Sequence, residues 1–113
     1  MPYGIRALFE PIRSRAAGDI DAGYQAIGTA LTQPIRILVV NNLTDESLLF
    51  STNGTDDHFV LPANGFLLLD ISSDNTPEQA FFISKGTIFY VKQLGVATTG
   101  SVYVTAVYGF GDQ

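Results

Sequence analysis

FLLLDISS (66–73), AFFISKGTIFYVKQLG (80–95) and TTGSVYVTAVYG (98–109) fill most of the last forty-eight residues of this chain. β-branched and aromatic residues recur in them with period two, and Gly, Asn and Asp cut the runs at short intervals. That is the pattern of short strands joined by tight turns. Working back from there, the period predicts strands over 35–41, 48–51, 58–61, 66–71, 79–83, 87–94 and 101–108. Nothing between 35 and 110 has a helical period. Alternation puts Ile35, Ile37 and Val39 on one face and Arg36, Leu38 and Val40 on the other. In the last strand Val102, Val104 and Ala106 share a face, opposite Tyr103, Thr105 and Val107. Both faces are apolar in several strands, which suits two packed sheets whose outer side is partly covered.

The connectors carry turn chemistry. Asn53-Gly54 and Asn64-Gly65 supply positive φ at low cost, the first closing a hairpin between 48–51 and 58–61. Lys85-Gly86 and Thr99-Gly100 do similar work, and Asp74-Asn75-Thr76-Pro77 reads as a polar loop. Seven or eight short strands at this spacing predict an all-β, single-domain β-sandwich or jelly roll.

The front of the chain, MPYGIRALFEPIRSRAAGDIDAGYQ, has no sustained period. Short strands at 5–9 and 12–16 are separated by Pro11, which lacks the amide a ladder needs. Gly18, Gly23 and Gly28 oppose a long helix, 22–27 has room for a single helical turn, and Pro34 closes the segment. The expected organisation is an irregular N-terminal arm over 1–34 and a sandwich body over 35–110 that folds without it.

With 113 residues the chain matches one domain of ordinary size and needs no staples to bury a core. Charged residues make up 15%, against a usual share of about 25%. Either the surface is bland or part of it is covered by a neighbour. The absence of cysteine excludes disulfides, thiolate zinc sites and cysteine nucleophiles. No apolar run approaches the length of a membrane-spanning helix, and the N-terminus lacks the apolar core of a secretory signal. Synthesis in the cytoplasm is the expectation.

Net charge is −5, unevenly spread. Residues 1–36 hold Arg6, Arg13, Arg15 and Arg36 against Glu10, Asp19 and Asp21, whereas 37–113 hold two lysines against eight acids. An acidic body argues against a nucleic-acid partner, because phosphate contacts need clustered Lys and Arg. Scattered arginines suit bidentate pairing with carboxylates on another protein.

The run VVNNLTDESLLFSTNGTDDHFVLPANGFLLLDIS (39–72), followed by KGTIFYVKQLGVATTGSVYVTAVYG (85–109), resembles small jelly-roll virion proteins of tailed phages. The shared pattern is an apolar strand into Asn-Asn-x-Thr-Asp and a Phe-Ser strand into Asn-Gly. Asp-His-Phe, a Pro-Ala turn, a strand ending in Asp, a Gly-Thr strand and a terminal Gly-Ser-Val-Tyr-Val strand follow. The layout over about 35–109 is most similar to capsid decoration (cement) proteins of short-tailed phages. The resemblance implies a non-enzymatic protein on the outer capsid surface of the virion, bridging major capsid protein subunits and copies of itself. It implies no cofactor and no catalytic residue. A neck or tail ring protein of the same fold is the alternative, and a carbohydrate-binding module a more distant one, weakened by the lack of tryptophan.

The candidate contact residues follow from chemistry. Tyr3, Leu8, Phe9 and Ile12 are apolar anchors in the arm, and Arg6, Arg13 and Arg15 are their polar partners. Phe110, between Gly109 and Gly111, either anchors a partner or packs on the domain's own edge. Asp56-Asp57-His58 is the one cluster with metal-ligand chemistry, but neighbours at a strand start point to opposite faces, so the expected reading is a solvated turn. The Asn-x-Thr sequences at Asn42 and Asn53 are expected in turn and capping roles. No serine sits in a nucleophile-elbow context, so hydrolase chemistry is not expected.

Overall fold

Ser101–Asp112 (β9) is the longest strand, and one sheet is built on its two sides. The computed structural model describes residues 4–70 and 83–112. Along one side of β9 lie two consecutive strands, β1 (Gly4–Phe9) against 107–112 and β2 (Arg13–Ala16) against 101–104. Along the other side lies β4 (Ile37–Asn42), which also pairs with β7 (Phe66–Asp70). The second sheet runs β3 (Gln25–Ala26), β8 (Tyr90–Gln93), β5 (Leu48–Ser51), β6 (Phe59–Leu61). Every pairing is antiparallel. With β1 and β2 counted as one interrupted strand, these two orders are those of an eight-stranded jelly roll made of two Greek keys.

Period two explains the core. Leu38 and Val40 of β4 and Val102, Val104 and Ala106 of β9 point inward and meet Leu48, Phe50, Leu61 and Val91 of the other sheet. Phe50 and Phe59 are register partners whose rings stack 5.1 Å apart. The Asn53-Gly54 hairpin joins β5 to β6 as the sequence predicts.

Residues 4–34 differ from an accessory arm. They contribute β1 and β2 to one sheet and β3 to the other, and bury Ala17, Ile20, Ile27 and Leu31 in the common core. Ile27 N–H donates to Phe89 O at 2.7 Å, and Leu31 N–H to Thr87 O at 2.9 Å. The strands here are too short, and too broken by Pro11 and glycines, for a period to register. The helical turn expected at 22–27 gives way to β3, because Gln25 and Ala26 pair with Val91 and Tyr90. Stretches 84–89 and 27–31 hydrogen-bond to each other irregularly, so β8 is shorter than predicted. Ile35 makes an isolated bridge with Ile83 and β4 begins at Ile37. Of the strand expected at 79–83, only Ile83 lies within the described residues.

Gly100 is the tightest turn. Its φ is +85°, and a Cβ there would lie 1.9 Å from the Leu43 carbonyl oxygen. Gly100→Ala must strain the backbone and push two loops apart, and is expected to cost at least ~2 kcal/mol. Denaturant unfolding checks this, and an unchanged midpoint contradicts the geometry.

The register of β4 on β9 ends at Val107, while β1 follows β9 to Asp112. Among the described residues, 4–8 and 108–112 therefore pair only with each other, as a two-stranded ribbon at one end of the sheet.

Candidate interaction surface

Between the pairs Phe9↔Val107 and Arg13↔Val104 the first strand advances one residue more than β9. The extra residue is a bulge at Pro11, where a missing amide costs little. A bulge reverses the alternation, so Glu10 and Arg13 both face inward. Arg13 is 5% exposed, and its Nη2 donates to Glu10 Oε1 at 2.8 Å and to the Ala30 carbonyl at 2.8 Å. Its Nε donates to the Thr29 carbonyl at 2.6 Å. Glu10 also accepts from the N–H groups of Thr32 and Gln33. Burial alone would push the Glu10 carboxyl up. The bonds from Arg13, Thr32 and Gln33 outweigh it and hold the carboxyl below its ordinary value. Gly28, at φ +69°, lets the loop close on the stem of Arg13, since a Cβ would sit 2.8 Å from it.

Arg13 is therefore an internal clamp between the β1–β2 corner and the 29–33 loop. Arg15 also bonds within the chain, donating to the carbonyls of Asp19 and Ala26 and to Gln25 Oε1. For Arg13, buried on these partners, the expected pairing with a neighbour's carboxylates gives way to this internal clamp, because the β2 register turns it toward the chain's own loops; Arg15, half-buried, bonds to those loops as well.

The same alternation defines the other side of the sheet. Phe66 and Leu68 of β7 lie beside Asn41 and Val39 of β4, which lie beside Tyr103 and Thr105 of β9. Ser14 of β2 is opposite Tyr103, and Phe9 continues the face beyond. Phe9 is 69% exposed, Ile12 64%, Phe66 63% and Leu68 57%. Asp70, opposite Ile37 at one corner, is the only charged residue at these strand positions. Among the described strands β7 ends the sheet order, and it carries no lysine or proline of the kind that ordinarily protects an edge.

The outer face of the second sheet is different. Lys92 Nζ lies 3.1 Å from Asp57 Oδ1 and 4.8 Å above the Tyr24 ring, and the Tyr24 hydroxyl donates to the same carboxylate. Burial first, then the bond to Asp57 and the nearby acids, push the Tyr24 hydroxyl up. Asp57, by accepting from Tyr24 and Lys92, is held down. His58 Nδ1 accepts from Thr52 N–H at 3.0 Å, and Asp56 accepts from the Asn53 amide. The three side chains of Asp56-Asp57-His58 thus have separate partners, and among the described residues no three acidic or histidine side chains converge.

The Asn-Asn-x-Thr-Asp run is structural. Asn42 is fully buried, and its amide donates to the carbonyls of Glu46, Leu61 and Pro62 while its oxygen accepts from Thr44. Asp45 ties this loop to the β8–β9 loop. The Thr98 hydroxyl and the N–H groups of Thr98 and Thr99 hold its carboxyl down to about 2.

Of the sequence candidates, Phe9 and Ile12 flank the corner on the exposed side, and Leu8 is half-buried opposite Tyr108. Arg6 and Phe110 are register partners on the ribbon. Tyr3 lies outside the described residues. Phe66, Leu68, Val39 and Tyr103 were not candidates, although the apolar character of both faces of these strands was the signal for them. Comparison of the chain with protein-family models, with curated proteins and with solved structures finds no match.

Proposed function

We propose that this chain is a non-enzymatic structural protein of a tailed-phage particle that decorates the capsid and bridges adjacent major capsid protein subunits. The observation that carries the reading is the nearly uncharged outer face of the β1/β2–β9–β4–β7 sheet, with Phe9, Ile12, Phe66 and Leu68 presented together. Soluble domains that work alone rarely leave such a face to water. The polar groups a catalytic reading would need, Glu10, Arg13, Asp57 and His58, are bonded to one another, to other side chains or to the backbone. The ribbon that carries Arg6 and Phe110 lies at one end of the sheet, where it reaches a neighbouring subunit. The action is mechanical: each copy buries apolar area across a subunit junction and opposes outward pressure from packaged DNA. A standard interface of roughly 1,600 Å² suffices, because repetition over a closed shell adds avidity.

Purified protein added to particles that lack it is expected to co-sediment with them to saturation and to raise their resistance to heat. Failure to co-sediment, together with binding on a glycan array, would replace the structural role with carbohydrate recognition.

A further inference from the structure

We propose that Asn64 is a site of spontaneous deamidation, and that the fold protects Asn53, which is also followed by glycine, from the same reaction. The inference is independent of the virion role.

The chain has two Asn-Gly pairs, Asn53-Gly54 and Asn64-Gly65. A glycine leaves its amide nitrogen open to the side-chain carbon of the asparagine before it, because no Cβ blocks the approach. That nitrogen gives up its proton and bonds to Cγ, and the side-chain amide leaves as ammonia. The five-membered succinimide then takes up water. Cleavage of its Cγ–N bond gives aspartate, and cleavage of its backbone C–N bond gives isoaspartate. No oxidant or cofactor enters. The reaction needs an asparagine amide free to turn toward the next nitrogen, and there the two pairs differ.

Asn53 is held at both ends of its amide. Its Oδ1 accepts from the Ser51 hydroxyl at 2.9 Å and from the N–H groups of Thr55 and Asp56 at 2.8 and 2.9 Å. Its Nδ2 donates to Asp56 Oδ2 at 2.9 Å. The attacking group is engaged as well, since Gly54 N–H donates to Oγ of the buried Ser51. Attack at Asn53 has to break these bonds together.

Asn64 is exposed, and among the described residues its side chain has no hydrogen-bond partner. The one bond in the way is Gly65 N–H to the Pro62 carbonyl at 2.9 Å, across the turn from β6 to β7. The turn itself selects the reactive pair. Asn64 has φ +62°, in the left-handed region that asparagine tolerates better than most side chains. A Cβ on Gly65 would lie 2.8 Å from the Pro62 ring, so glycine is required there. The geometry that leads the chain into β7 thus places a free asparagine before a glycine. Isoaspartate lengthens the main chain beside Gly65, whose carbonyl accepts from Asn42 N–H at 2.8 Å. Either product adds a negative charge two residues before the exposed Phe66.

The test incubates the full chain for days in mildly alkaline buffer, with and without denaturant, and maps its peptides by mass spectrometry. In the folded chain, acid is expected at 64 about tenfold faster than at 53, since each retained hydrogen bond must open before the amide can turn. In denaturant the two positions should convert at similar rates, which gives their intrinsic reactivity. Ser51→Ala, which frees the Gly54 nitrogen, should raise conversion at 53 severalfold and leave 64 as it was. Asp56→Ala, in the exposed part of the same turn, serves the same purpose if Ser51→Ala does not fold. Amide exchange at Asn42 should be faster in the isoaspartate form, which ion exchange separates from the parent by its added charge. Equal conversion at both positions of the folded chain overturns the proposal. So does an Asn64 that stays intact when folded but converts in denaturant, or an Asn53 that stays protected in both variants.

Discussion

Removal of residues 1–34 is expected to abolish cooperative unfolding. The deletion takes away β1, β2 and β3, and with them every partner on one side of β9. It also removes Ala17, Ile20, Ile27 and Leu31 from the core and opens Val91, Phe89 and Val102 to water. Burial of three Ile or Leu side chains contributes about 5–8 kcal/mol, comparable to the whole stability of a domain of this size, roughly 5–15 kcal/mol. Loss of the strand pairing adds to this. Calorimetry of the shortened chain should show no transition. A cooperative melt with a β-type spectrum would mean that the first strands are accessory to a body complete from Ile35 onward.

Arg13→Ala is expected to destabilise the chain by about 3–5 kcal/mol, because it leaves the Glu10 carboxylate buried without its cation. The Thr29 and Ala30 carbonyls lose their donors at the same time. Arg13→Lys should recover only part of this, since an ammonium does not reach Glu10, Thr29 and Ala30 from one planar fork. The Glu10 carboxyl is held below its ordinary value in the folded chain. Its contribution is therefore fully present above the unfolded-state value, near 4.3, and is lost as pH falls through the lower folded one. Melting temperature measured from pH 7 downward should fall at the acid end in the parent and less steeply in Arg13→Ala. An Arg13→Ala protein as stable as the parent, with reduced binding to particles, would return Arg13 to the role of a contact residue.

Those two results concern the part of the chain that was least legible beforehand. β4, β5, β6, β7 and β9 follow from alternation because each is long enough, or bounded sharply enough by Asn-Gly and Pro-Ala turns, for period two to show. β3 is two residues long and owes its existence to a partner, Tyr90–Val91, more than sixty positions away. No local propensity encodes such a pairing. Glu10 and Arg13 were read as unrelated, one an acid in the arm and the other a cation for a neighbour. In a regular strand, residues three apart point to opposite faces. Only the bulge at Pro11 turns both inward, and a bulge is fixed by the register against β9. The exposed face was half legible. Two-sided apolar strands signalled a covered outer surface, but placing Phe9 and Ile12 on the same sheet face as Phe66 and Leu68 required the strand order.

The most direct measurement is the number of copies of this protein in purified phage particles, by quantitative mass spectrometry against the major capsid protein. A shell-decorating role gives hundreds of copies per particle in a fixed ratio to the capsid subunit, as repetition over a closed symmetric shell requires. About a dozen copies would place the chain in a ring at the neck or tail, and its absence from intact particles would contradict the structural role altogether.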